Sequence, residues 1–596
     1  MVDEHHRDRD RGARVRIGLG IGIGFIAGAA SVSPIAQWDA STSTLAQLAA
    51  IASHSRPSLA TMFDSTGKLT YAPNNLLTQS NTFSNAAWVK SSATVSSGVA
   101  DPLGGTNAFT VTATGANGQI YQPVTVSGGT STKFIESIWI RRRTGSGTVA
   151  IYKPDGTTQV VVAVNSTWQQ FYAVGVGLST IAYNTVLLAT SGDAVDIYAA
   201  TLSAVTYETT PRTADQVITT SAVYYGPRID YDPNTLAVKG LLIEEARTNR
   251  NIQSGPLTTS WTVSGAARTA GAALASDGTT LASKFTATAG AGILTQFYTD
   301  SATLSAGTYT NSIEIDGSSG AYPILVFLVG TSTASAVFNT TTNADGVATQ
   351  TGTTGSGSTI LSTKQTYLGG GRYRVSMSAS IPAGGVYCYY GMAPSPTGNT
   401  FAVNSGLVVA TWAGTEYIIA SMSQFEDGAF ATSYIPTAAS SVTRAADVVQ
   451  FTGAALTALQ GSVGSAIVET GTILGTINST SILGGSSSTQ QIQTLSANTP
   501  RSYNGSNAFN GNTFTGSYVT GNVRTGLAWG ASSRSLVANG ATVATNIGSA
   551  AFGSNVYLGA DSGGDYINGY IHSFAIYNQR LSDATLQAKS VVGASY

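Results

Sequence analysis

Apolar and polar residues along this chain alternate at period two far more often than they recur at helical spacing. "FTVTAT" (109–114), "FIESIWI" (134–140), "TVAIYKPDG" (148–156), "TQVVVAV" (158–164), "RYRVSMSAS" (372–380) and "NVYLGAD" (555–561) are typical runs, split by Gly, Asn, Asp and Ser. Period-two alternation puts one face of a strand on a core and the other in solvent. Repeated over a whole chain, it predicts an all-β protein of tandem jelly-roll β-sandwiches. Helical spacing is confined to two places. "STLAQLAAIASH" (43–54) lines up Leu45, Leu48, Ile51 and Ala52, and "LSDATLQAKSVV" (581–592) has Ser582 as its N-cap. Asn539-Gly540 is a hairpin turn signal.

The alternating runs repeat. "QSNTFSNAAW" (79–88) parallels "QSGPLTTSW" (253–261), and "DPLGGTNAFTVTATG" (101–115) parallels "DGTTLASKFTATAG" (277–290). "FIESIWI" parallels "YTNSIEI" (309–315). The matched pairs Trp88/Trp261, Phe109/Phe285 and Phe134/Tyr309 lie 173, 176 and 175 residues apart. "YETTPRTAD" (207–215) parallels the longer "SYIPTAASSVTRAAD" (433–447). The period is too long for a solenoid and indicates a duplicated domain. The chain divides into an apolar, Gly-rich segment with a short helix (1–54), a leading strand (55–73), sandwich 1 (74–215), a linker (216–248), sandwich 2 (249–449) and a last sandwich (450–596).

Composition narrows the function. Only 10% of the 596 residues are charged, against about 25% in ordinary soluble domains. The net charge of -1 provides no bulk field for nucleic acid, so none is expected as a partner. Cys388 is the only cysteine, which excludes an intrachain disulfide and a cysteine-based zinc site. It reads as a small buried strand residue between Tyr387 and Tyr389. His5, His6, His54 and His572 form no metal-ligand pair within a structured domain, and no cofactor is expected. No Gly-x-Ser-x-Gly elbow can be paired with a triad histidine, and no glycine-rich run has the lysine of a phosphate loop. Glu244-Glu245 is a carboxylate pair, but neighbours on a strand point to opposite faces, so salt bridging, to Arg247 for instance, is expected. No catalytic residue is assigned. "RRR" (141–143) reads as a solvated turn, with an acidic polysaccharide or an anionic neighbouring subunit as the alternatives.

The order "PRIDYDP", "LAVKGLLIEEARTN", the "QS…F…W" opening and the "TSYIPT…VTRAAD" closing resembles phage head-spike and tail-fibre proteins with carbohydrate-binding-like jelly rolls. "YINGYIHSFAIYNQRLSDATLQ" (566–587) is similar to laminin-G or concanavalin-like domains. The resemblance implies a non-enzymatic virion protein, a homotrimer that binds host-surface polysaccharide. The last domain is expected to face outward. Sugars stack on aromatic rings; the expected platforms are Trp529, Tyr566 and Tyr570 in the last domain and Tyr224 and Tyr225 in the linker. Trp88, Trp139 and Trp261 read as core. Asp561 and Asp565 in "DSGGD" are the weak calcium candidates, with turn chemistry as the other explanation.

Residues 17–36 carry no charge and are long enough to span a bilayer, and the arginines before them allow an export signal. Four alternating glycines, however, cost a helix about 3–4 kcal/mol. Extended, the stretch aligns Ile17, Leu19, Ile21, Ile23 and Phe25 on one face, as a docking peptide for a capsid, portal, neck or tail protein. The alternatives to a virion protein are a secreted bacterial adhesin and a polysaccharide-degrading tailspike enzyme.

Overall fold

The computed structural model describes residues 32–125, 132–177, 181–258, 260–298, 302–475, 480–485, 491–503, 508–547 and 552–596. The expected docking residues Ile17, Leu19, Ile21, Ile23 and Phe25 lie outside them. Strands make up 52% of the chain and helices 4%, so the protein is all-β. Among the described residues, every strand pairing within the sandwiches is antiparallel.

Three two-sheet sandwiches follow from the alternation. In the first, one sheet runs in spatial order Val89–Ser91, Gly118–Thr125, Ile181–Leu188, Val149–Tyr152, Gln159–Val162. The facing sheet runs Ala93–Val99, Ala108–Ala113, Ala194–Val205, Lys133–Thr144, Gln169–Val176. The middle sandwich repeats this order. Its first sheet runs Thr262–Ser264, Gln296–Tyr298, Gly384–Ala393, Tyr322–Val329, Ser332–Val337 and adds Gln350–Thr354 at the far edge. Its second runs Ala266–Leu274, Leu281–Ala287, Tyr417–Asp427, Gly307–Ser319, Arg372–Ile381 and adds Thr359–Gly369. Equivalent side chains do equivalent work. The Trp88 indole donates to the Gln79 carbonyl at 2.9 Å, and that of Trp261 to Gln253 at 3.2 Å. The Asn75 amide donates to the carbonyls of Ala200 and Val217, and the Asn249 amide to those of Ser423 and Ile435.

The third sandwich is assembled from three distant parts of the chain. Gly569–Tyr577 is flanked on one edge by Gly464–Ile473. Its other edge is shared end to end: Leu241–Ile243 pair with 569–571, and Ala36–Asp39 with 573–576. The opposite sheet takes Ala52–Ser55 as an edge strand against Val448–Phe451. Residues 216–248 are therefore more than a linker: Arg228–Tyr231 and Val238–Ile243 are strands of the last sandwich. The N-terminal segment contributes one strand to each sheet, with a helix between them. Trp38, Leu48, Leu241 and Ile243 lie in one core with Phe451 and Phe574. Burying each large apolar side chain stabilises by roughly 1.5–3 kcal/mol, which drives these remote segments onto the sandwich.

The helix of 43–54 is shorter than its periodicity predicts. Leu45–Ala49 is capped by a Thr44/Gln47 capping box, and the chain turns to strand by Ala52. Gly453–Gln460 is a helix that the pattern did not reveal. Asp583–Lys589 begins at Ser582, whose side chain accepts from the Thr585 amide. Asn539 and Gly540 both take left-handed φ at their hairpin. No helix among the described residues is long and apolar enough to cross a membrane.

A buried ion network ties the middle sandwich to the last. Arg228 donates to Glu244 at 2.7 Å, to Ser433 Oγ at 2.6 Å and to Asp447. Arg56 donates to Asp447 at 2.7 Å and to the Gly226 carbonyl at 2.9 Å. Arg444 lies 3.4 Å from Glu244, and His54 Nε2 lies 3.4 Å from Asp447. Burial opposes ionisation of Asp447, yet Arg228 and Arg56 hold its carboxyl well below the usual range. Arg228, Glu244, Ser433, Arg444 and Asp447 come from the words "PRIDYDP", "GLLIEEARTN" and "TSYIPT…VTRAAD", and His54 and Arg56 from "HSRP" (54–57). In the network three guanidinium groups, of Arg56, Arg228 and Arg444, meet two carboxylates, of Glu244 and Asp447.

Candidate saccharide-binding surface

Two of the five aromatic platforms expected from sequence, Trp529 and Tyr570, are buried, and the other three are half-buried. Trp529 is fully buried: its indole donates to the Gly461 carbonyl at 2.9 Å and meets Phe552 edge-on. Tyr570 is 4% exposed and donates to Asp230 at 2.9 Å. Both are structural, because strands 523–529 and 569–577 are central in their sheet. Tyr566 is half-buried against the same core. Tyr224 and Tyr225 are half-buried in a two-residue ladder with Asn74 and Asn75. Trp88 and Trp261 are core, but Trp139 lies on the outer face of its strand, beside Trp168 and Tyr198.

The charged candidates are committed too. Asp561 accepts from the Gly563 and Asp565 amides at 2.8 and 3.0 Å, forming its own turn. Burial and the Asp561 charge raise the pKa of Asp565. Arg141–Arg143 continue the strand Lys133–Thr144 instead of forming a solvated turn. Arg141 and Arg143 both bind Asp196, on one face, and Arg142 binds Asp193 on the other. Glu244 and Glu245 diverge as alternation requires, Glu244 into the network and Glu245 onto Arg247.

An aromatic ledge lies elsewhere, on the outer face of the middle sandwich. In "VYCYYG" (386–391), Cys388 and Tyr390 point into the core, and alternation sends Tyr387 and Tyr389 outward. Gln296–Tyr298 pairs beside them and contributes Tyr298. The Tyr387 and Tyr389 rings are nearly parallel, 5.6 Å apart and 23° between planes. Tyr298 stands edge-on to both, at 5.8 and 4.7 Å. All three are half-buried. Burial, with the neighbouring phenols behind it, raises the pKa of Tyr389, so its hydroxyl stays a neutral donor. One side of the ledge is walled by the excursion of 395–408. Phe401, Leu407 and Val408 cover Ile324, Val326 and Val337 there. Gly391 permits this approach: a Cβ there would sit 2.3 Å from the Thr295 carbonyl oxygen and 3.0 Å from Leu407.

The equivalent face of the first sandwich carries Tyr121 and Tyr183, 6.4 Å apart. Here the 152–159 hairpin closes over Tyr183. A Cβ on Gly156, which has φ +69°, would lie 2.5 Å from that ring. The duplicated face is thus tyrosine-bearing in both copies, with half-buried rings in each.

Two clefts lie at the sandwich junctions. One of ≈ 470 Å³ separates the first and middle sandwiches and is lined by Tyr71, Lys133, Gln253, Asp277, Thr280 and Tyr434, among others. Asp277 is spent on Thr279 and Thr280. The other, of ≈ 150 Å³, separates the middle and last sandwiches. Among acidic pairs, Glu314 and Asp316 share a strand face. Burial and the Glu314 charge push Asp316 well above the usual carboxylate range, and it accepts from Ser421 at 2.7 Å.

No protein-family model and no curated protein matches the chain. Among solved structures, it is similar to the N-terminal CBM22-1–CBM22-2 tandem domain of Paenibacillus barcinonensis Xyn10C. That likeness has 11% identity and a TM-score of 0.21, over 60% of this chain and 98% of the other. It is similar to the enzymatically active domain of bacteriophage CBA120 tailspike protein 4, at 14% identity and TM-score 0.18, over 22% and 21%. A structure described as "CBM4 structure and function" gives 13% identity and TM-score 0.15, over 23% and 88%. Likenesses this distant leave the fold assignment to the chain's own sheets.

Proposed function

We propose that this chain is a non-catalytic saccharide-binding protein, displayed on a phage particle as a spike or fibre, that recognises host-surface glycan through the middle sandwich. The observation that carries the binding reading is the ledge of Tyr298, Tyr387 and Tyr389. A pyranose presents an apolar face that stacks on a phenol ring, while its hydroxyls bond at the rim. Three rings within 4.7–5.8 Å offer such faces on a rigid sheet. Display on a particle, and assembly as a trimer, are supported by the sequence words of the family resemblance.

The test is glycan binding by the full chain and by Tyr387→Ala/Tyr389→Ala. Loss of each stacking ring weakens binding by about 1–3 kcal/mol if it behaves as other aromatic stacking does. The expected outcome is at least tenfold weaker binding at an unchanged unfolding midpoint. Equal affinity in the variant sinks the ledge. Recovery of the chain in purified particles at fixed copy number tests display. Recovery only in cell-envelope fractions favours the adhesin, and release of reducing ends from the bound polysaccharide favours the enzyme.

A further inference from the structure

The chain has seven tryptophans, and five of them, Trp38, Trp88, Trp261, Trp412 and Trp529, are at most 5% exposed. The other two, Trp139 and Trp168, are half-buried and stand together on the outer face of the second sheet of the first sandwich. Register brings them there. Trp139 lies opposite Tyr198 on one side and Gln170 on the other, so the three share a face. Trp139 and Arg141 share it too, being two residues apart on one strand. Trp168 stands just before Gln169–Val176, with the Arg141 guanidinium 4.8 Å from its ring centre.

The polar groups beside the indoles are fixed and only partly used. Arg141 gives Nε to Asp196 at 2.9 Å, and Arg143 gives Nε at 2.7 Å and one terminal nitrogen at 3.3 Å. Thr110 Oγ1 also donates to Asp196, at 2.8 Å. Burial opposes the charge of Asp196, but the bonds from Arg143, Thr110 and Arg141 hold its carboxyl below the usual range. Both arginines are thus held in place. Their other terminal nitrogens, two of Arg141 and one of Arg143, have no hydrogen-bond partner among the described residues.

The duplicated copy shows that the fold does not require these rings. Trp139 corresponds to Glu314, 175 residues on. Both strands bulge at this point, and Ala199 and Met422 beside the bulges take left-handed φ of +48° and +50°. Glu314 is 2% exposed and faces the last sandwich across the ≈ 150 Å³ cleft. The first sandwich has no such cover on this face among the described residues, and it carries indoles where the covered copy has a carboxylate.

We infer that the Trp139–Trp168 face is a second saccharide site, separate from the tyrosine ledge, with the indoles as stacking surfaces and Arg141 and Arg143 as donors to ring hydroxyls. A pyranose matches both features: its apolar face lies on the rings and its rim hydroxyls meet the free N–H groups. A protein partner fits less well. Two tryptophans supply together at most about 500 Å², and a stable interface covers roughly 800 Å² a side. The neighbouring outward positions are polar, Gln170, Thr110 and Ser96. The class of ligand rests on the saccharide-binding reading above; the site does not rest on the ledge.

The experiment titrates the full chain with hexasaccharides of glucose, mannose and galacturonate, followed by calorimetry and tryptophan emission. It is run on the parent, Tyr387→Ala/Tyr389→Ala, Trp139→Ala/Trp168→Ala and Arg143→Ala. With the tyrosines removed, at least one hexasaccharide is expected to bind still and to shift the emission. Trp139→Ala/Trp168→Ala should abolish the shift and weaken that binding by about tenfold or more at an unchanged unfolding midpoint. Arg143→Ala removes an exposed side chain and should weaken the same binding severalfold, which decides the matter if the indole variant unfolds early. Binding lost with the indoles alone upholds this site and overturns the ledge; binding lost with the tyrosines alone does the reverse. The site is also overturned if no hexasaccharide moves the emission. A drop in oligomeric state of the indole variant with saccharide binding intact overturns it in favour of a subunit contact.

Discussion

Glu136 sits in the core of the first sandwich, 1% exposed, with one carboxyl oxygen accepting from the Thr185 amide at 3.0 Å and the other lacking a partner among the described residues. Burial pushes its pKa well above the usual value. The folded state prefers it protonated, so stability is intact below about pH 4.3 and erodes as pH rises above that. The matching position in the middle sandwich, 175 residues on, is the amide Asn311. Glu136→Gln should raise stability at pH 7 by about 1 kcal/mol or more and flatten its pH dependence, read by denaturant melts at pH 4 and 7. His54 has the opposite sign to an ordinary ion-paired histidine. Burial lowers its pKa despite Asp447, so the unfolded chain binds the proton more tightly. Stability is complete above about pH 6.5 and falls as pH drops through that value. His54→Gln should lose this mildly acid limb, seen as equal unfolding midpoints at pH 7.5 and 5.5 apart from the carboxylate contribution. Other residues show what sequence could disclose. Alternation places Tyr387 and Tyr389 opposite Cys388, so two-thirds of the ledge was readable; Tyr298 joins it only through strand pairing. The same alternation puts Trp529 with Leu527 and Val523 on the core face.

At the scale of elements, period-two patterning located most strands, and the first two sandwiches share one strand order. It failed where a strand pairs far away in sequence. Nothing local in "AQWD" (36–39) or "VKGLLI" (238–243) says that both complete one edge of Gly569–Tyr577. Strand 523–529 is buried on both faces because the helix Asp583–Lys589 covers its outer side. The last sandwich should accordingly not fold alone. A fragment of 448–596 lacks four strands and the Trp38, Leu48 and Ile243 contribution to its core. It should express as aggregate or bind a hydrophobic dye. Supplying residues 32–56 and 224–249 as fused segments should restore cooperative melting.

Across the whole molecule, the middle and last sandwiches are bolted together by Arg56, Arg228, Arg444, Glu244 and Asp447, all essentially without solvent contact. Asp447→Asn leaves three guanidinium groups facing one carboxylate. Breaking such a buried set costs about 3–5 kcal/mol. Calorimetry should show one coupled transition for these two sandwiches in the parent and two separated ones in the variant. The arrangement also bears on the proposed attachment, for which the last sandwich is expected from sequence to face outward. The described chain begins on the last sandwich, with Ile35 and Ala36 already bonded to Ile576 or paired with it. An attachment made through the residues before Ala36 places the last sandwich at the root and the tandem pair beyond it. On the proposed binding and attachment, a tug on a ligand at the tyrosine ledge would run down the middle sandwich, across the arginine joint and into the short strand Ala36–Asp39. The first sandwich hangs outside that line of force, free to diverge without weakening the tether.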